Sequence, residues 1–326
     1  MNYAGSLFIA LGLAHSAIAQ DSTHVFMLHQ SSFVATDLAP EPEEPKSGDI
    51  QFEGEALLTN VYESNIDHSS EALSSFGLVP ALHLRLRDRL QDSRVTLDYV
   101  LAQHTYSNTE QWDRTSHLLG LAYEIEPMNG LMSETEAEVS IRGSSEDRDL
   151  ANQYQIRQTF ETKLSQMHRV EMYGTLRYKT IPGDPAANAF KPNIGLGYQQ
   201  RWPNGFRWEL GARLETNRET LERGNYNRAT VTAEFRVPAF ANRDYVELEV
   251  RWKYKYYTAR LAEEENGDDT FQLRQDQKWT AGLSWHLNLI RQVALELGVE
   301  VERRTSNDPD KPYVASALIV GLSYRF

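Results

Sequence analysis

From Ile50 to the C-terminus, apolar residues recur at every second position. Leu82-His83-Leu84-Arg85-Leu86-Arg87 alternates apolar with basic or imidazole side chains. A helix would scatter those leucines over several faces, whereas a strand puts them on one. The same period runs through Val95/Leu97/Tyr99/Leu101, Leu119/Leu121/Tyr123/Ile125, Val170/Met172/Gly174/Leu176/Tyr178 and Phe206/Trp208/Leu210/Ala212/Leu214. It returns in Val246/Leu248/Val250/Trp252/Tyr254/Tyr256, Val293/Leu295/Leu297/Val299/Val301 and Leu318/Val320/Leu322/Tyr324/Phe326. At one strand plus connection per ~20 residues, residues 50–326 hold about 14 strands. The fold class expected is all-β, an antiparallel up-and-down barrel.

The connections alternate in length. Short turns are expected at 88–93, 127–130, 166–169, 203–205, 238–243 and 288–291. Longer polar loops are expected at 64–75, 107–114, 144–152, 181–191, 217–226, 259–270 and 305–312. Of the 12 prolines, three fall before the first strand and Pro80 alone falls inside one. The rest mark turns, loops or strand ends, as a missing N–H demands. Strands of about 11–15 residues exceed the usual soluble length and suffice to cross a bilayer at a tilt.

Comparing the two faces separates a membrane barrel from a soluble sandwich. The second parity carries, among others, Arg85, Arg87, Glu136, Glu138, Arg157, Arg177, Lys179, Arg213, Arg251, Lys253 and Glu300, and over the whole of that parity acids and bases come in similar number. A dry core cannot hold so many ions, because desolvation costs several kcal/mol each. These positions are therefore expected to line a wet or ion-paired lumen. Trp202 and Trp208 flank a short turn, and Tyr254 and Tyr256 stand at the other end of their strand. These four are expected to sit in aromatic girdles at the two membrane interfaces.

Residues 1–19 read as an export signal: the apolar run Leu7–Ala14 precedes Ala17-Ile18-Ala19, with cleavage expected after Ala19. Residues 20–49, with the Pro/Glu-rich stretch Ala39–Gly48, read as a disordered periplasmic linker. The barrel then spans 50–326, with both ends on the periplasmic side.

The last residues, Gly321-Leu322-Ser323-Tyr324-Arg325-Phe326, resemble the terminal signal of the bacterial outer-membrane β-barrel superfamily. That resemblance implies an outer-membrane location. It also implies that Leu322, Tyr324 and Phe326 are read by the barrel-assembly machinery. Tyr62–Ile66 and Arg304–Asp308 are similar to fragments of barrels tied to surface-lipoprotein assembly and exopolysaccharide export. The surface-lipoprotein assembly modifiers share a 14-strand C-terminal barrel. They carry a helical-repeat periplasmic domain before it, where this sequence has only the linker.

The whole chain has 326 residues, no cysteine and 46 acidic against 33 basic side chains, a net charge of −13. Lack of cysteine removes disulfides, thiolate metal sites and lipidation at an N-terminal cysteine. The acidic balance excludes a general nucleic-acid partner. A mean hydropathy of −0.55 argues against membrane helices, yet it is what averaging a greasy outer face with a charged lumen produces. The excess negative charge is assigned to the linker and connections, including Glu263–Asp269. That run lacks the ligand spacing of a calcium loop, so no specific metal site is expected, only loose Ca²⁺ or Mg²⁺ bridging to lipopolysaccharide phosphates.

No HExxH, GxSxG or phosphate-binding loop occurs. A hairpin centred near Gln111 would set Thr105 opposite His117 at the outer rim, the one arrangement suggesting hydrolysis. His83 and His286 point inward and are expected to hydrogen-bond to neighbours. The leading expectation is a passive porin-like channel for small polar solutes or an exported polymer, embedded in outer-membrane lipid and lipopolysaccharide, with no cofactor. The alternative is a non-conducting assembly, secretion or structural barrel; the third is a rim hydrolase.

Overall fold

The computed structural model describes residues 50–326 except 67, 69–71, 91, 109–111, 129, 145–150, 240–243 and 264–268. The export signal and linker lie outside the described residues. The strands are β1 (Ile50–Glu63), β2 (Ser75–Arg89), β3 (Ser93–Tyr106), β4 (Arg114–Met128), β5 (Leu131–Ser144), β6 (Asn152–Lys163) and β7 (His168–Thr180). They continue as β8 (Ala189–Phe190), β9 (Asn193–Arg201), β10 (Arg207–Glu219), β11 (Tyr226–Ala239) and β12 (Asp244–Glu263). The last three are β13 (Asp269–Ile290), β14 (Val293–Ser306) and β15 (Tyr313–Arg325). Each pairs antiparallel with its sequence neighbour, save that β8 and β9 do not pair with each other, and β15 pairs with β1, so the sheet closes on itself. β8 and β9 both lie between β7 and β10 and form one stave, which makes a closed barrel of 14 staves. The break between them is Lys191-Pro192, where proline has no N–H to donate.

Proline explains two further interruptions. The β2–β3 register skips Val79 and Pro80, and β4–β5 shifts between Ile125 and Met128, beside Pro127. At the closure, the Phe326 N–H donates to Gly54 O and the Gly54 N–H to Phe326 O, both at 2.9 Å. A Cβ on Gly54 would stand 2.3 Å from the Phe326 ring, so glycine lets the terminal aromatic lie flat across β1.

Burial alternates with the sequence period and settles the two faces. In β2, Phe76, Leu78 and Leu86 are exposed, whereas Val79, Ala81, His83 and Arg85 are buried. Around the barrel the outward parity carries a belt of exposed apolar residues, among them Leu119, Ile156, Met172, Leu176, Ile194 and Leu214. Water-soluble monomers rarely show a contiguous apolar patch beyond a few hundred Å². Among the described residues no helix is long and apolar enough to cross a membrane. Trp208, Tyr324 and Phe326 stand at the short-turn rim, with Trp202 in the adjoining turn; Tyr254 and Tyr256 stand at the loop rim with Tyr154, Tyr178 and Phe190.

One hairpin departs from the expected outline. The loop expected at 259–270 is largely strand: β12 and β13 run 20 and 22 residues. Pairing resumes at Leu261↔Leu273 beyond an irregularity after Tyr256, so this hairpin stands above the rim.

An arginine on the outward face tests what surrounds the belt. Leu176→Arg should cost about 2–4 kcal/mol in lipid vesicles, the range for a charge at mid-bilayer depth. Leu221→Arg, in the exposed connection between β10 and β11, should stay within about 0.5 kcal/mol. Chemical unfolding in vesicles reads both, and equal effects would contradict a lipid-facing belt.

Candidate functional site, the barrel lumen

All eleven charged positions expected to line the lumen lie on the inward parity. Several lie along the wall in cross-strand pairs. Arg85 Nε donates to Asp98 Oδ1 at 2.6 Å, and His83 Nε2 stands 2.7 Å from the same oxygen. Arg87 Nη1 reaches Glu53 Oε1 at 3.0 Å. Arg157, 3% exposed, donates to Glu171 Oε1 (3.0 Å) and Thr159 Oγ1 (3.2 Å), and its guanidinium lies 3.9 Å from the Tyr173 ring centre. A Cβ on Gly195 would fall 2.1 Å from Tyr173, so glycine there gives that ring its place on the wall. Arg177 donates through Nε and Nη2 to Gln155 Oε1.

The ladder continues with Arg207–Glu234, Arg228–Glu215, Arg236–Glu247 and Lys278–Glu302, while Arg251 pairs with Glu249 on its own strand. Glu136 faces Arg157 and Glu138 faces Gln155 across β5–β6. Lys179 is beside Gln153, Arg213 beside Gly195, Lys253 beside Lys278, and Glu300 beside Ala317. His286 stacks on Tyr245 at 4.3 Å and meets Ser284 Oγ at 2.9 Å. Both inward histidines thus have the neighbour contacts expected of them.

The signs are not evenly mixed around the ring. Glu134, Glu136 and Glu138 occupy the turn-side half of β5. Arg251, Lys253, Lys255 and Lys278 sit on β12 and β13, and β13 stands seven staves from β5, on the opposite wall. The acidic run of β5 therefore faces a basic run on β12 and β13, which shares those strands with Glu247, Glu249 and Asp276 and lies nearer the loop end.

The sequence reading missed a third surface. Val61, Val79, Ala81, Ala102, Tyr106, Ala317 and Ile319 point inward from β15, β1, β2 and β3 and form a buried apolar cluster. Its cover comes from two outer connections: Ile66, from the segment after β1, belongs to the cluster, and Trp112, from the segment before β4, packs against it. Ile66 N–H donates to Leu73 O at 2.8 Å, Asn65 Nδ2 to Val314 O at 3.3 Å, and Tyr106 N–H to Asp113 Oδ1 at 2.7 Å. The described ends of the first two outer connections, at Ile66 and Trp112, thus turn into the mouth. A signal existed: segments 77–82, 100–102 and 317–322 are apolar or small at both parities. In a barrel this means an apolar inner wall as well as an apolar outer one.

The rim pair expected of Thr105 and His117 does not form. Leu101 faces His117, because the β3–β4 hairpin is centred two residues earlier than supposed. His117 Nδ1 instead meets Tyr99 OH at 2.9 Å on the outward face. His68 stacks on Tyr313 at 4.9 Å, and its neighbour Asp67 lies outside the described residues.

No protein-family model matches the sequence, and no curated protein is similar to it in sequence. Solved structures are similar in fold. The outer membrane channel DcaP of Acinetobacter baumannii gives a TM-score of 0.53 at 9% identity, covering 86% of this chain and 98% of that one. OmpT, an outer membrane protein of Vibrio cholerae, gives 0.52 at 7% identity, covering 86% and 100%. The anion-selective porin from Comamonas acidovorans gives 0.51 at 9% identity, with the same coverage of 86% and 100%. The chain has the closed antiparallel barrel fold of these outer-membrane proteins.

The ladder's contribution is measurable. Arg157→Met should lower stability by about 3 kcal/mol, the low end for breaking a buried pair, because it strands the Glu171 carboxylate. Arg87→Met should change it by less than about 1 kcal/mol, since the Glu53 side chain is 46% exposed. Urea unfolding of the refolded barrel compares the two.

Proposed function

We propose that this chain is a narrow outer-membrane channel for small polar solutes. The observation that carries the reading is a charged inner face running through a barrel whose outer face carries a belt of exposed apolar residues. A lumen that rich in ions is wet, and a wet lumen through a bilayer conducts. The inturned connections at Ile66 and Trp112 and the flattened ion pairs favour small solutes over an exported polymer. They also supply the case for the alternative, a barrel held closed.

In this reading the outward face meets outer-membrane lipid and lipopolysaccharide. Leu322, Tyr324 and Phe326, outward on the closing strand, serve as the assembly signal read by the barrel-assembly machinery. Arg85, Arg87, Glu136, Glu138, Arg157, Arg177, Lys179, Arg213, Arg251, Lys253 and Glu300 line the path. The acidic run of β5 facing the basic run of β12 and β13 gives the lumen a field with a component across it. Such a field orients dipolar solutes without strongly rejecting either sign of ion.

In planar bilayers the protein should give a small steady conductance with weak preference between cations and anions. Trp112→Ala combined with Ile66→Asp should raise the conductance at least about twofold by freeing the mouth, because the constriction sets the barrier. Silence of both proteins would eliminate the channel and leave the closed barrel. Replacing Arg251 and Lys253 by glutamate should shift the preference toward cations, read from the reversal potential in a salt gradient; an unmoved reversal potential would remove these residues from the conducting path.

A further inference from the structure

We propose that Glu263, Asp308 and Asp310 form a divalent-cation site of the calcium class, clamping the tall β12–β13 hairpin to the connection between β14 and β15. Glu263 ends β12, and the two aspartates lie in the 307–312 connection. One carboxylate oxygen from each can be chosen so that all three lie within 4.8 Å of one another. Ca²⁺ holds its oxygens at about 2.3–2.6 Å, so two oxygens on one ion stand no more than about 5 Å apart. The three carboxylates already meet that limit.

Asp308 supplies the independent observation. Its side chain is 0% exposed, and neither carboxylate oxygen has a hydrogen-bond partner. The guanidinium of Arg274 comes no closer than 3.6 Å to Oδ2, and it is already engaged by Asp276 at 3.1 Å and 3.2 Å. A fully buried carboxylate without hydrogen bonds is costly unless a cation faces it. Two more carboxylates beside it add repulsion, which a divalent ion reverses. Glu263 has a 4.0 Å ion pair with Arg260 Nη2, long enough to leave its carboxylate available to a metal.

The donor set is all oxygen and carries three negative charges, which selects a hard cation over zinc or copper. Three protein ligands, with water completing the shell, give affinity in the range of extracellular calcium modules, about 10⁻⁴–10⁻³ M. The site was not legible in the acidic run 263–269, because two of its three ligands come from a segment some 45 residues further on, brought alongside by the fold.

The test uses the full chain refolded in detergent free of lipopolysaccharide, with CaCl₂ as the probe. Calorimetric titration should show binding below about 10 mM, and Ca²⁺ should raise the Tm. Asp310→Asn and Glu263→Gln should each weaken binding at least about tenfold and abolish the Tm response. In EDTA the same variants should unfold at or above the wild-type temperature, since each removes one of three repelling carboxylates. Absence of wild-type binding by about 10 mM would overturn the site. So would variants that titrate like wild type, or variants less stable than wild type in EDTA, which would mark the cluster as merely structural. Asp310 is exposed, so its variant tests the site without disturbing the buried Asp308.

Discussion

The pairing of β15 with β1 is the interaction on which everything else depends. An open sheet would present two rows of unpaired N–H and C=O groups, which are intolerable in lipid and sticky in water. Nine register pairs from Glu55↔Arg325 to Glu63↔Ala317 remove both edges at once. Closure divides the chain's alternate residues into an inside and an outside, and only then does period-two patterning acquire physical meaning. The reciprocal Gly54–Phe326 hydrogen bonds lie at the turn-side end of this seam, so the final residue belongs to the ladder.

Once the faces are defined, the interior has to satisfy its charges. Cross-strand pairs do much of this, a buried ion such as Arg157 hydrogen-bonding to a partner on the neighbouring strand, Glu171. Inward glycines such as Gly195 and Gly197 leave the surface that rings and long side chains need in order to lie down. The apolar sector on β15, β1, β2 and β3 follows another logic. It offers no partners for ions, and its cover is hydrophobic, provided by Ile66 and Trp112.

Most of this architecture was legible in the sequence, since strand number, the alternation of short and long connections and the inward identity of the charged residues follow from a period of two. What was missed depends on quantities that period does not carry. The β3–β4 centre rests on loop geometry, and a two-residue error kept every parity correct while misplacing Thr105 against His117. The height of the β12–β13 hairpin rests on pairing that continues across an irregularity, through residues polar enough to read as loop. The apolar inner sector was hidden because residues apolar at both parities strengthen a strand assignment without announcing two separate greasy faces.

The inturned mouth is held differently from the charged wall behind it. Burying Ile66 and Trp112 contributes roughly 1.5–3 kcal/mol per large side chain. Ordering each backbone residue of the connections costs about 1–2 kcal/mol. Hydrogen bonds at Asn65, Ile66, Tyr106 and Asp113 offset part of that cost at about 1 kcal/mol apiece. Two large side chains and three hydrogen bonds are few contacts, so the cover rests on a small anchorage rather than on an interlocked core. The ion-paired wall differs, because breaking one of its pairs strands a charge. The cover is therefore the part of the lumen whose loss leaves no charge unpaired, unlike the ion-paired wall behind it.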